Sequence, residues 1–440
     1  MVTLALFDGK KSVESNPEDI FTWPIITKEV ESAVLKVLRA GNMSGSDVTK
    51  KFERGFADWH GMKYGLGCST GTAALHCAMF GLGIGAGDEI ICPSITYWAS
   101  CLPVYSLGGT VVFAEVDPQT LCIDPDDIEH RITKKTKAII VVHYCGRPAE
   151  LDKIMAVAKK HNLKVIEDAS HAHGALYKGK MVGTFGHAAG FSLMSGKSFA
   201  VGEAGIMLTN DKEVYQRAVA FGFYERSEEL TLPELASGAG LPWGGYKYRM
   251  HQLSSAVGLV QLKKYPKEMA EIDKAMNYFW DLLKGVPGIK SNRLPKNSRT
   301  TMGGWFSPLG FYNSAELGGL SISRFCEAVT AEGVETSPGC NQALHLHPLF
   351  STIDIYRQGR PTRIANSNPG LRQPEGSLPI SEGIQAKVFW IPWFKHCYPA
   401  IIKEYAAAFR KVAENYRELL PGDKGNPKQT GSWGLTKRKK

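Results

Sequence analysis

No apolar run among the 440 residues reaches the roughly 20 that a membrane-spanning helix needs, so no membrane partner is expected. The opening Met-Val-Thr-Leu-Ala-Leu-Phe-Asp-Gly-Lys-Lys lacks a basic start followed by a long apolar stretch and a small-residue cleavage site, and a secretory signal is not expected. Cysteine pairs at C-x-x-C spacing are missing too. The nine cysteines stand singly at 68, 77, 92, 101, 122, 145, 326, 340 and 397, several inside apolar segments. That pattern excludes a disulfide framework and reads as the reduced thiols of a cytoplasmic protein with no metal site. Internal repeats are absent. So is a charge excess large enough to select nucleic acid: four of the formal +9 belong to the Lys437-Arg-Lys-Lys440 tail, and the remaining +5 is a surplus that phosphorylated ligands can use.

What is present is a 43% hydrophobic, 22% charged composition, ordinary for a globular chain of two domains. Amphipathic patterns begin at Thr27, with Val30, Val34, Leu35 and Leu38 before Gly41, and at Val48, with Phe52, Phe56 and Trp59; both predict helices. From 64 to 211, apolar strands are expected at 89–92, 111–116, 138–143, 165–168, 190–193 and 206–209, separated by helical stretches such as 150–161. Strand and helix in alternation predict an α/β fold with a mostly parallel, helix-covered sheet. Residues 212–240 read as a polar irregular segment. One helical pattern then runs through Leu253, Val257, Val260 and Leu262, and a separate helix is expected over 268–283. The expected division is an arm over 1–24, a large domain over 25–285, a smaller α+β domain over 286–420 and a disordered basic tail over 421–440.

Three stretches carry chemistry. Val165-Ile-Glu-Asp168-Ala-Ser-His171-Ala-His173-Gly174 delivers a carboxylate and two histidines to a strand's C-terminal end, the edge at which open α/β sheets bind ligands. Gly67-Cys-Ser69-Thr70-Gly71-Thr72 opens a helical pattern, and free amides at a helix start beside hydroxyls make a phosphate cradle. Phe191-Ser192-Leu-Met-Ser-Gly-Lys197-Ser-Phe-Ala-Val-Gly-Glu203-Ala-Gly places one lysine between a short strand and a glycine-interrupted turn. A lysine kept from full solvation loses basicity, and a neutral amine condenses with an aldehyde. Carboxylate, phosphate cradle and nucleophilic lysine are the parts a protein supplies to pyridoxal phosphate.

These stretches, with Gly87-Asp-Glu-Ile-Ile-Cys-Pro93, Gly202-Glu-Ala-Gly205 and Gly245-Tyr-Lys-Tyr-Arg-Met250, run in the order found in the DegT/StrS sugar aminotransferases. The chain resembles this fold-type I family over roughly residues 20 to 420. The resemblance implies that Lys197 forms the Schiff base and shuttles a proton, Asp168 pairs with the pyridine nitrogen, and Tyr97 stacks on the ring. It puts Gly71, Thr72 and Ser192 on the phosphate. His171 stands near the phenolic oxygen where the family more often has glutamine, which adds a titratable group. Lys247 replaces the family's asparagine in a turn that reaches a neighbour's phosphate across a homodimer; a lysine there could contact that phosphate or a substrate's acid group, or be a solvated turn residue. Met43, Ser44 and Gly45, in the loop after the first helix, fall on the substrate side together with His345 and Arg249. Trp98 and His173 read as packing residues, and Glu203 as one that orients its loop.

The implied reaction is ping-pong transfer of an amino group from glutamine or glutamate to a keto-sugar or keto-cyclitol. Lys197 argues against the dehydratase branch, in which histidine replaces the lysine. The opening segment and Trp23-Pro24 resemble the cyclitol and aminoglycoside branch, with glutamine as donor, more than the nucleotide-sugar branch. Other readings are a lyase, dehydratase or aminohydroxybenzoate-synthase-like enzyme on the same fold, and a non-catalytic regulatory homologue, whose signature would be loss of the lysine or the aspartate.

Overall fold

The structure, a computed structural model, describes residues 3–15, 19–295, 298–359, 361, 373–428 and 433. The expected disordered tail is ordered at its start, where the Ser321 amide donates to Asp423 at 2.7 Å and the Ser323 hydroxyl to Asn426 at 3.1 Å; its Lys437–Lys440 run lies outside the described residues. Among the described residues no helix is long and apolar enough to cross a membrane.

A seven-stranded sheet organises the larger part of the molecule. In space it runs β1 (Tyr64–Cys68), β9 (Gly205–Thr209), β8 (Ala188–Ser192), β5 (Lys164–Asp168), β4 (Thr136–Val142), β2 (Glu89–Pro93), β3 (Thr110–Ala114). A hairpin of β6 (Leu176–Tyr177) and β7 (Lys180–Met181) stands apart. Strand β9 is antiparallel to both neighbours, and every pairing from β8 to β3 is parallel. All residues of β2 and β3 are buried, as expected where helices cover both faces of a parallel sheet.

The helices are α1 (Lys28–Arg39), α2 (Asp47–His60), α3 (Gly71–Gly81), α4 (Pro125–Arg131), α5 (Leu151–Lys160), α6 (Lys212–Gly222), α7 (Pro233–Ala236), α8 (Gln252–Leu282), α9 (Ile322–Ala331), α10 (Pro348–Ser351), α11 (Pro379–Gly383) and α12 (Pro399–Glu414). Their ends follow local chemistry. The Thr27 hydroxyl accepts from the Val30 amide at the start of α1, whose first turn holds Glu29 and Glu31 and whose last turn holds Lys36 and Arg39. Helix α3 is apolar almost all round because it is wedged between the sheet and α6.

Three further expectations need correction. Residues 212–222, read as the start of an irregular segment, form α6: Asp211 caps the Glu213 and Val214 amides, and Val214, Ala218, Val219 and Phe221 turn inward. The patterns on either side of Pro266 belong to one 31-residue helix, α8. Proline interrupts a helix by removing one hydrogen bond, but here packing on α1, α2 and α12 holds the helix together. Strand β1 went unread because Gly65 and Gly67 dilute its apolar signal; the Glu53 carbonyl would lie 2.8 Å from a Cβ at Gly65.

The second core is built from the C-terminal half of α8, α9, α12 and a three-stranded sheet of β10 (Ile289–Ser291), β11 (Leu309–Tyr312) and β12 (Val388–Trp390). Leu4 and Ile20 of the N-terminal arm are fully buried in it. The arm is tied down by Glu332, whose buried carboxylate accepts from the Ala5 amide at 2.8 Å and the Ser12 amide at 3.0 Å and pairs with Lys411 at 2.9 Å.

Candidate active site

The sheet ends at the site. Asp168, the last residue of β5, is buried, and both its oxygens are engaged: Oδ2 accepts from the Ser100 hydroxyl at 2.6 Å and Oδ1 from the Ser170 amide at 3.1 Å. The Thr96 hydroxyl meets Ser100 at 2.9 Å, so a short polar chain aims one carboxylate edge. The Ser170 bond is the local turn that Asp makes two residues ahead of itself.

Helix α3 begins on the same edge. Thr70 caps it, its hydroxyl accepting from the Ala73 amide at 3.0 Å, which leaves the Gly71 and Thr72 amides without an acceptor inside the helix. Backbones crowd here: a Cβ at Gly71 would sit 2.6 Å from Ser192 Cβ, and one at Gly205 would sit 2.2 Å from the Thr70 carbonyl oxygen. The Ser192 amide donates to the Ser170 hydroxyl at 2.9 Å, linking this cradle to the aspartate turn.

Lys197 lies in the loop between β8 and β9 and is only 8% exposed. Burial lowers its amine to about 8, against the pull of the nearby Asp168 carboxylate and then Cys145. Its Nζ stands 4.1 Å from the centroid of Phe306, a ring that also packs against His171 at 4.5 Å. Phe306 arrives on a strained segment: Gly303, Trp305 and Ser307 all have left-handed backbone, at φ 57°, 52° and 48°.

His171 is buried, and its Nδ1 accepts the Cys145 amide at 3.3 Å, which leaves the proton on Nε2. Burial, then the Lys197 charge and His173, push this imidazole well below its ordinary range. The expectation that His171 adds a titratable group is therefore corrected: it is a fixed neutral donor. His173 is fully buried, paired with the Ser198 hydroxyl at 3.2 Å and held at about 3, mainly by burial.

The other candidates are distributed around this centre. Tyr97 is half-buried beside Trp98, ring centroids 4.9 Å apart. The 247–249 turn runs next to the cradle: the Ser69 amide donates to the Tyr248 carbonyl at 2.7 Å and Arg249 bridges Cys68. Lys247 is exposed, 5.9 Å from the Tyr224 ring centroid, and Arg249 Nε lies 3.9 Å from Glu225. The loop of Met43, Ser44 and Gly45 is fastened to the head of α8, where the Gln252 amide donates to the Met43 carbonyl at 3.1 Å. Ser254 of the same helix reaches the carbonyl of the exposed Glu203 at 3.3 Å. His345 is buried between the Ser94 hydroxyl at 2.8 Å and Glu382 at 2.9 Å, so its ring is braced just behind the Thr96–Tyr97 turn.

Sequence reasoning missed Ser100, Ser170, Cys145, Phe306 and Trp23, whose indole N–H donates to the Lys197 carbonyl at 2.8 Å. Only Ser170 carried a signal, its place two residues after a strand-end aspartate. The residues present fit pyridoxal phosphate: a buried carboxylate, an amine whose basicity burial lowers, and a helix start whose crowded glycine backbone leaves two amides for a phosphate.

Comparison with known proteins agrees. The profile of the DegT/DnrJ/EryC1/StrS aminotransferase family matches residues 24–410. A GDP-perosamine synthase of Caulobacter vibrioides is 38% identical over 314 residues, 69% of this chain and 78% of that protein. An aminotransferase structure from Psychrobacter cryohalolentis superposes with a TM-score of 0.77 at 29% identity, covering 90% of this chain and 99% of the other. The structure of DesI with its TDP-sugar product gives 0.76 at 25% identity, over 95% and 98%.

Proposed function

Because the chain belongs to the DegT/DnrJ/EryC1/StrS aminotransferase family, we propose that it moves an amino group from glutamine or glutamate to the carbonyl of a nucleotide-linked keto-sugar, in two half-reactions on pyridoxal phosphate. The observation that carries the reading is a buried lysine amine, lowered to about 8, beside a buried aspartate at the C-terminal edge of a parallel sheet.

Bound pyridoxal phosphate would supply the electron sink that makes the donor's Cα–H acidic. Lys197 then takes that proton as base and returns it as acid on the other side of the transfer. An amine near 8 is partly unprotonated around neutrality, which suits both directions. Asp168 serves as a fixed acceptor toward the pyridine nitrogen, its orientation set by Ser100 and Ser170. Gly71, Thr72 and Ser192 bind the phosphate, Tyr97 packs on the ring, and His171 donates from Nε2 toward the phenolic oxygen. Phe306 keeps water from the amine. Met43, Ser44, Arg249 and His345 are assigned to the sugar and donor side. Lys247 is assigned to a neighbouring subunit's phosphate in a homodimer that works in the cytoplasm, where nine free thiols stay reduced.

The acceptor follows the company the chain keeps. A GDP-perosamine synthase and DesI with its TDP-sugar product support a nucleotide sugar over the cyclitol that the arm suggested. The test is an absorbance spectrum of the purified protein with pyridoxal phosphate, before and after glutamine or glutamate. A visible band that a donor bleaches, followed by amination of a nucleotide keto-sugar, is the expected result. No band after cofactor addition would sink the reading.

A further inference from the structure

The N-terminal arm reaches the lysine. The Lys197 amide donates to the Met194 carbonyl at 2.8 Å, inside its own loop, but its carbonyl takes the Trp23 indole N–H, 174 positions away. That loop has left the regular β8–β9 pairing, which spans Ala189–Ser192, and it turns through Gly202 at φ 108°. A buried carbonyl without a donor is costly, so the indole fixes where this residue stands.

Behind the indole is a second buried lysine. Lys395 is 4% exposed; its ammonium lies over the Trp393 ring and 5.3 Å from the Trp23 centroid. The same segment grips the arm at three points. The Lys395 amide donates to the Ile20 carbonyl at 2.8 Å, the Tyr398 hydroxyl to Asp19 at 2.8 Å, and Phe21 stacks on Phe394 at 5.6 Å. Trp393 in turn donates to the Gly304 carbonyl at 2.9 Å and meets Phe306 edge-on at 5.6 Å. Contacts therefore close a ring from the Lys197 carbonyl through Trp23, Lys395, Trp393 and Phe306 back to the Lys197 amine.

We propose that Trp23 is a positioning residue for Lys197, clamped by the Lys395 ammonium between two indole rings, so that the arm and the second core together set where the amine stands. This rests on the role given to Lys197 above. Small displacements of a reacting group are expensive: about 1 Å is enough for a hundredfold loss of rate.

The experiment uses the full chain and needs no cofactor. The pH dependence of reductive methylation at Lys197 is read by peptide mass spectrometry, with exposed Lys153 on α5 as internal reference. The wild-type midpoint is expected near 8. Trp23→Phe keeps a ring beside Lys395 and loses the N–H. It is expected to let water in and raise the midpoint by about half a pH unit, the order of one hydrogen bond, and in the loaded enzyme to lower kcat about tenfold with the donor KM unchanged. Trp23→His, which keeps a ring N–H, is expected to restore most of both. A Trp23→Phe midpoint equal to wild type, with only thermal stability reduced, overturns the proposal. If that variant does not fold, Lys395→Met is read instead: a raised midpoint supports the clamp and an unchanged one overturns it. A wild-type midpoint matching Lys153 would instead refute the role of Lys197 itself.

Discussion

The aspartate and phosphate side of the site is made by the large sheet and its helices, whereas the lysine side needs both cores. Asp168 is set by residues 2 and 68 positions away, and Ser192 by one 22 away, all in the large sheet's own edge. Lys197 is set by Trp23 from the arm and by Phe306 from the approach to the second core's sheet. One side is rigid backbone at close quarters; the other is a set of aromatic side chains meeting from distant parts of the chain. The groups proposed to anchor the cofactor sit on strand ends and a helix start, as anchors that must not move would. Lys197, to which the proposal gives the proton transfers, sits on a loop and is held by packing.

The sharpest way to break the lysine side is Lys197→Ala. Transamination is expected to fall by at least about a thousandfold, with loss of both nucleophile and base, and single-turnover absorbance with the donor reads it. Thermal stability should hold or rise, since a buried ammonium is removed.

Gly71→Ala tests the other side. Its new Cβ would meet Ser192 Cβ at 2.6 Å and Cα at 2.7 Å, and backbone cannot rotate away. A loss of about 1–3 kcal/mol in a denaturant melt is expected, with cofactor affinity weakened roughly tenfold or more in a fluorescence titration, since a shift of about 1.4 kcal/mol suffices.

A smaller and more distributed effect is expected in acid. Burial holds His60 at about 4 and His173 at about 3, well below the unfolded 6.5. Between those values the unfolded chain binds protons that the folded chain refuses, so stability is lost as pH falls from 6.5 toward 4. Urea midpoints measured across that window should drop, and His173→Asn should flatten the slope.

The smallest effect should come from His171→Gln. Because the Cys145 amide and burial keep His171 neutral, exchanging one neutral donor for another should change kcat within about threefold and leave the shape of the pH–rate profile intact. Loss of an acidic limb in the variant would mean that His171 titrates after all.

The same contrast decides what could be read from the residues alone. The sheet side was legible because its parts are contiguous stretches with local rules, apolar strand then Asp168 and Thr70 then a helix start; Ser192 came only from the family resemblance. The parallel strands were legible for the same reason, as unbroken apolar runs between helical ones. What escaped is what depends on tertiary support. Pro266 looked like a boundary until packing on three helices was seen to carry α8 through it. The helix at 212–222 was hidden by its polar outer face. Nothing in the sequence tied Phe306 or Trp23 to Lys197, because an aromatic residue's partner, far away in the chain, is not known until the fold is.

The antiparallel strand β9 has a consequence in time. Lys197 comes in on a hairpin, β8 to β9, whose pairing is short in sequence, while Asp168 comes in on parallel crossovers. Short-range pairing is the kind that forms early. The clamp on that hairpin, by contrast, joins Trp23 to Trp393 and Lys395, about 370 positions further along the chain. During synthesis the residues of the lysine hairpin and of the Gly71 helix start are all made long before residues 393–395, so the contacts that seat Lys197 cannot be complete until that later segment has joined the fold.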